Sequence, residues 1–210
     1  MIDTKYRPNL SEKLEKELKG KGTLERFLSD YEAICTRSEN IGMNRKYAEC
    51  VHQLLELSHA FNSKNVDYIM IGGLSVLAHL QSKDPSVLSR WRGTEDVDLL
   101  MDAEKAKGTL GEFGYRSEKP LHNVRDGDGV EGKLYNFVRP NDSIGTSIGL
   151  REGVKIGKAR ITNEIYRDSN AIDFYGIPVN VPSLKHLKSM KKAANRKKDR
   201  EDISSLKALR

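Results

Sequence analysis

Asp96 and Asp98 stand two residues apart in the run Asp96-Val97-Asp98-Leu99-Leu100-Met101, whose composition reads as a strand. In a strand, side chains at i and i+2 point to one face, so the two carboxylates project together, about 7 Å apart, while Val97 and Leu99 face the core. Paired hard oxygen donors suit Mg²⁺ (or Mn²⁺), which is typically held by one or two carboxylates and completed by phosphate oxygens and water. That is an arrangement for phosphoryl transfer, although an Asp-x-Asp by itself is often only a strand-end feature. Gly72-Gly73 supplies a context, because it ends an apolar run and opens a helical pattern with Ser75 on its first turn. Glycine allows a phosphate close to the backbone, and the free N–H groups at a helix start favour an anion. The Gly-x-Gly-x-x-Gly spacing of dinucleotide folds and the Gly-Lys-Ser of P-loops are both missing here, which disfavours those two families.

The elements that must position these residues are readable along the chain. Tyr47, Val51, Leu54, Leu55, Ser58 and Phe61 recur at helical spacing, and the main domain is expected to begin at residue 44. Val66 to Ile71 reads as a buried strand and Leu74 to Leu80 as the helix after the glycines. Residues 81 to 94 lack a clean period and are expected to form a long loop. In that loop Trp91, between two arginines, either stacks on a ring of a ligand or plugs a hydrophobic gap. The strand carrying Asp96 follows, then a helix near Ala103 to Phe113 and a glycine-rich polar stretch from Arg125 to Gly132. Strands are expected at Leu134 to Val138 and Ile144 to Leu150, and a hairpin at Ala171 to Val181. Residues 1 to 43 hold two short amphipathic patterns around Leu10-Leu14 and Thr23-Leu28 and read as a charged helical extension. The expected division is therefore 1–43 and 44–210, with an α/β (α+β) fold class.

Composition narrows the setting. The 210 residues carry 36 Lys and Arg against 30 Asp and Glu, a net charge of +6, and 37% are hydrophobic, enough for a core. No apolar run reaches the length of a membrane span, no secretory signal follows the N-terminus, and Cys35 and Cys50 are expected as reduced thiols. A cytoplasmic location is the expectation. The five histidines show no metal-ligand spacing with the cysteines, so zinc is not expected. His79, on the helix after the glycines, either packs that helix or lines the site. The basic excess is concentrated in Lys185, Lys188, Lys191, Lys192, Arg196, Lys197, Lys198 and Arg200, opposed in that window only by Asp199. Such a face attracts phosphates by electrostatics alone, or simply keeps the surface solvated.

Tyr68-Ile69-Met70-Ile71-Gly72-Gly73-Leu74-Ser75 followed by Arg92-Gly93-Thr94-Glu95-Asp96-Val97-Asp98 resembles the signature of the nucleotidyltransferase superfamily. Within it, Arg92-x-Thr94-x-Asp96-x-Asp98 and the later run with Lys191, Arg196, Lys198-Asp199 and Asp202 are similar to AbiEii-type toxins and small proteins like the aminoglycoside nucleotidyltransferases. The resemblance spans residues 47 to 206. It implies a small mixed β-sheet flanked by helices, and transfer of a nucleoside monophosphate from an NTP to an acceptor hydroxyl. Under it, Gly72, Gly73 and Ser75 hold the terminal phosphates, Asp96 and Asp98 ligate the metal, and Lys191, Arg92, Thr94 and Arg196 serve the nucleotide. Asp199 is expected to orient one of these cations. The acceptor is left open among RNA or tRNA, an aminoglycoside-like small molecule and a protein, and an antitoxin partner is implied if the chain is a toxin.

Two departures stand out. The 22 residues between Gly73 and Asp96 exceed the family's usual spacing, which implies a loop insertion. The family's third carboxylate, expected between Leu134 and Leu150, is not on the strand Ile144-Gly145-Thr146-Ser147-Ile148-Gly149-Leu150; Asp142 and Asp173 are the substitutes. A carboxylate missing there costs a general base, on the order of 10² to 10⁴ in rate. The alternative function is therefore a degenerate module that binds nucleotide or RNA without turnover.

Overall fold

The computed structural model describes residues 6–37, 41–117, 121–125, 130–139, 147–156, 159–160 and 162–207. Three helices come first: α1 (Glu12–Gly20), α2 (Leu24–Cys35) and α3 (Ile41–Ser63). A strand–helix–strand unit follows, β1 (Ile69–Ile71), α4 (Gly72–Gln81) and β2 (Asp96–Leu100). Next come α5 (Ala103–Glu112), β3 (Arg116–Ser117), β4 (Leu121–Arg125), β5 (Val130–Val138), β6 (Ser147–Ile156), β7 (Ala159–Arg160) and α6 (Thr162–Arg167). The chain continues through the hairpin β8 (Asn170–Phe174) and β9 (Ile177–Val181) to α7 (Leu184–Ala194) and α8 (Lys197–Lys207).

The main sheet runs in the order β1-β2-β6-β5-β3, with β4 also on β5 and β7 on β6. It is mixed, since β2 and β6 are parallel and the remaining pairs antiparallel. This is the small mixed sheet with flanking helices that was expected.

The two faces of β2 have different fates. Val97 and Leu99 are fully buried in the principal core with Met70, Ile148, Leu150, Tyr135 and Phe137, beneath α3 and α4. The opposite face is apolar at one end only, where Ile69, Ile71 and Leu100 are covered by Ile165 of α6 and by Met190 of α7. At its other end that face presents Asp96 and Asp98.

The expected boundary at residue 43 falls inside α3, and Leu14, Leu18, Phe27 and Ile34 of the segment before it share the principal core. A buried polar cluster reinforces the join. Ser11 caps α1 through its Oγ and donates its N–H and hydroxyl to Glu56 Oε1 and Oε2 at 2.6 and 2.7 Å. His52 lies between Glu49 and Glu56, and Tyr31 of α2 donates to Glu49 at 3.3 Å.

Within the long loop, residues Pro85–Arg90 form a 3₁₀ turn started by Asp84, which accepts from Ser86 N–H at 2.9 Å. Trp91 is buried in the principal core, and Arg37 holds the loop by donating to the carbonyls of Trp91, at 2.8 Å, and Leu88. The tryptophan therefore plugs the core and is not offered to a ligand. The basic segment is broken in two by Asn195, whose left-handed conformation (φ 51°) ends α7. Of the glycine-rich polar stretch, Arg125 ends β4 and residues 130 to 132 begin β5. Asp142 and residues 144 to 146 lie outside the described residues.

Candidate active site

The site forms where β1 passes into α4. Gly72 takes a left-handed backbone (φ 72°), which makes the sharp strand-to-helix turn possible. The residue before it, Ile71, makes no side-chain cap, and the first-turn N–H groups of a helix favour an anion.

Antiparallel pairing of β1 with β2 sets Ile71 opposite Asp98, and parallel pairing of β2 with β6 sets Asp98 opposite Gly149 and Asp96 opposite Ser147. Asp98 is thus flanked by glycine on both sides. A Cβ added to Gly72 would stand 2.5 Å from Asp98 Oδ2, and one added to Gly149 would stand 2.8 Å from Oδ1. The carboxylate lies across the strand in space that only glycine leaves open. Asp96 accepts from the Thr94 hydroxyl at 3.0 Å, and Thr94 in turn packs 3.0 Å from the Cβ position of Gly73.

Arg92 completes this end of the site, with Nη2 3.5 Å from the same Gly73 position. Its guanidinium is locked by Asp202 of α8: Nε donates to Oδ1 at 2.8 Å and Nη2 to Oδ2 at 2.7 Å, while Nη1 donates to the carbonyl of Gly93 at 2.7 Å. Burial works against the Arg92 charge, but Asp202 outweighs it and raises the pKa further.

Lys191 is 4% exposed, and its Nζ sits 2.8 Å from Asp202 Oδ2 and 3.1 Å from Asp199 Oδ1. Asp199, fully buried, also receives Nε and Nη2 of Arg196 at 2.7 and 3.2 Å. Burial opposes the Asp199 charge, yet Arg196 and Lys191 prevail and hold its pKa at about 2. Lys191 and Arg196 are therefore engaged by carboxylates of α8, and Asp199 and Asp202 orient cations.

The structure gathers Gly72, Gly73, Arg92, Thr94, Asp96 and Asp98 at one place. Ser75 is turned away: it is buried, and its hydroxyl donates to the Gly72 carbonyl at 2.9 Å. Asp173 is exposed and accepts from Gly176 N–H at 3.0 Å, which makes it part of the β8–β9 turn. His79 donates from Nε2 to the Pro182 carbonyl at 2.8 Å, tying α4 to the segment before α7.

Sequence reasoning missed three contributors. Gly149 bounds Asp98, and its signal was a glycine in period with the expected strand. Asp202 joins Arg92 to Lys191; its motif was visible but its partner was not. Tyr47 of α3 packs its ring against Gly93, whose added Cβ would come within 2.3 Å of it, so α3 backs the loop that carries Arg92 and Thr94. Below the site, burial first and then the negative charge of Asp96 raise the Cys50 thiol above its ordinary range.

Asp96 and Asp98 fit a divalent cation of the Mg²⁺ kind: both offer hard oxygens on one face, and the glycines leave room beside Asp98. Two carboxylates alone are an incomplete shell, and among the described residues no group of three or more His, Cys, Asp or Glu could hold a metal. Such a site suits an ion that arrives with phosphate.

No family model and no curated protein matches the chain. Among solved structures, the antibiotic-resistance factor ANT(2'')-Ia is similar at 16% identity over 77% of this chain and 83% of that one, with a TM-score of 0.49. An antigenic nucleotidyltransferase-like protein from Paracoccidioides brasiliensis is similar at 21% identity over 77% of this chain and 76% of its own, with a TM-score of 0.43. Both TM-scores fall below 0.5, and the weight of any functional reading falls on the chain's own geometry.

Proposed function

We propose that the chain is a nucleotidyltransferase that moves a nucleoside monophosphate from an NTP to an acceptor hydroxyl. The observation that carries this reading is the Asp98 carboxylate laid between Gly72 and Gly149, beside Asp96 and at the uncapped start of α4. The N–H groups of that first turn receive the terminal phosphates, and the glycines let them approach. Thr94 holds Asp96 in its rotamer, and Arg92 adds positive charge next to Gly73 from a guanidinium that Asp202 keeps fixed. A divalent cation bound by Asp96 and Asp98 would supply neutralisation of the charge that develops on the phosphates. In the balanced reaction the acceptor oxygen bonds to the α-phosphorus, the α–β bridging bond breaks, pyrophosphate leaves with the electron pair, and the hydroxyl proton passes to solvent.

The test is incubation with each labelled NTP and Mg²⁺ in the presence of tRNA or an aminoglycoside. Transfer of label, lost in Asp96→Ala and Asp98→Ala, is the expected result; label transferred equally by those variants overturns the reading.

A second reading is a nucleotide-binding module without turnover. Two observations favour it: β6 places Ser147 and Gly149, not a carboxylate, beside Asp96 and Asp98, and Lys191 is already committed to Asp199 and Asp202. It predicts nucleotide binding with no label transferred to any acceptor.

A further inference from the structure

The same registers that place Asp98 against Gly149 place Asn136 of β5 on the far side of Gly149, in one cross-strand row. Residues paired across strands share a face, so Asp98, Gly149 and Asn136 point to the same side of the sheet. Gly149 has no side chain, and the row therefore encloses a trough whose walls, Asp98 and Asn136, stand about 10 Å apart at Cα, two strand spacings. The β2 wall is acidic, with Asp96 and Asp98. Ser147, beside Asp96, adds a hydroxyl near the floor.

The β5 wall is different. Leu134 and Val138 occupy the neighbouring positions on that face, and a Cβ at Gly149 would meet Leu134 Cδ1 at 4.0 Å. Asn136 is consequently the one hydrogen-bonding side chain on that wall among the described residues. It is half-buried, and it sits across the trough from the carboxylates that would hold the metal.

We infer that Asn136 is the acceptor-binding residue of this site, and that its amide oxygen orients the attacking group. The group it receives is a neutral alcohol. A second anion would be repelled by Asp96 and Asp98, and a cationic amine would be better served by a carboxylate than by an amide at this position. The hydroxyl donates to the Asn136 oxygen, which leaves an oxygen lone pair directed toward the β2 side of the trough, while Leu134 and Val138 contact the carbon framework of the acceptor. This inference rests on the function proposed above, and it adds the residue that receives the acceptor hydroxyl.

The experiment compares the unchanged chain with Asn136→Ala and Asn136→Asp in two assays. Calorimetric titration with ATP and Mg²⁺ reads the nucleotide site, and transfer from labelled ATP to tRNA or to an aminoglycoside, as hydroxyl sources, reads the acceptor side. Asn136→Ala is expected to keep the nucleotide affinity within about twofold and to raise KM for the acceptor about tenfold, the equivalent of one lost hydrogen bond. Asn136→Asp retains an accepting oxygen at the same place and restores the acceptor KM. Unchanged acceptor kinetics in Asn136→Ala overturn the inference and leave the proposed function standing, whereas nucleotide binding without transfer to either probe overturns the inference and the transferase reading together and leaves the module without turnover. Absence of ATP binding by the unchanged chain removes the functional reading and the inference together. Circular dichroism of each variant reports its fold separately from both assays.

Discussion

Arg92 and Asp202, 110 positions apart in sequence, meet in a bidentate ion pair with both N–O distances under 3 Å. The pair joins two segments far apart in sequence, since Arg92 belongs to the loop entering β2 and Asp202 to helix α8. Through Lys191 it extends to Asp199 and Arg196, so that the basic segment of the chain is partly neutralised from within.

Breaking that pair from the acidic side leaves the half-buried Arg92 without its carboxylate and the buried Lys191 with Asp199 alone. Asp202→Ala is expected to destabilise the fold by about 3–5 kcal/mol in urea denaturation. Arg92→Lys, which keeps the charge and loses the fork, should cost less stability and weaken nucleotide binding in calorimetry. Equal stability of Asp202→Ala and the unchanged chain would show that α8 is not tied to the site in this way.

The glycines beside Asp98 make a steric prediction. Gly149→Ala puts a methyl 2.8 Å from Asp98 Oδ1, and the carboxylate must rotate away. Displacing a positioned group by this much costs on the order of 10²-fold in turnover. Gly72→Ala adds a left-handed backbone to the collision, about 1–2 kcal/mol further in thermal stability. Gly108→Ala, inside α5 with nothing within 4 Å, is the control: turnover should stay the same, and stability should rise by about 0.5–1 kcal/mol, as for any helix-interior glycine.

The buried cluster on α3 predicts a pH dependence. Burial opposes the charge of His52, but hydrogen bonds and charges from Glu49 and Glu56 prevail and raise its pKa to about 9. Glu56 is held low by the same contact and by Ser11 of α1, and Tyr31 of α2 faces Glu49. A group whose pKa is raised on folding, here from an ordinary value of 6.5, stabilises fully below that value. The contribution is lost as pH rises from about 6.5 to about 9. The melting temperature should therefore fall across that range, and His52→Gln should flatten the fall. An unflattened profile would remove His52 as its cause.

Trp91 distinguishes packing from ligand stacking. Trp91→Ala is expected to cost about 3–5 kcal/mol, as for a large core side chain. Its indole Nε1 is buried with no hydrogen-bond partner among the described residues, so Trp91→Phe gives up no bond and should be tolerated. Nucleotide affinity of the phenylalanine variant should match that of the unchanged chain.

Much of the scaffold was legible because its signals are local. The alternation in Val97 and Leu99 placed Asp96 and Asp98 on one face before any pairing was known, and Gly72-Gly73 marked the turn into α4. The N-terminal segment was harder to read. Its residues are heavily charged in sequence, but Leu14, Leu18, Phe27 and Ile34 are spaced to gather on one side, and what that side covers depends on α3 arriving from later in the chain. Ser75 was misread for a similar reason: a hydroxyl on a first helical turn can face a ligand or bond back to the turn's own carbonyl, and only the built helix shows the second.

By itself, then, the sequence determined which residues carry charge and oxygen donors, and which of them share a strand face or a helix turn, since both follow from periods of two and 3.6 along one chain. The tertiary structure decided the rest. That Gly149 and not an acidic residue adjoins Asp98, that Asn136 stands beyond it, and that Lys191 serves Asp202 and Asp199 all depend on strand register and helix docking between distant segments. Those are set by the burial of apolar faces across the whole molecule, a sum over many contacts that no local pattern contains.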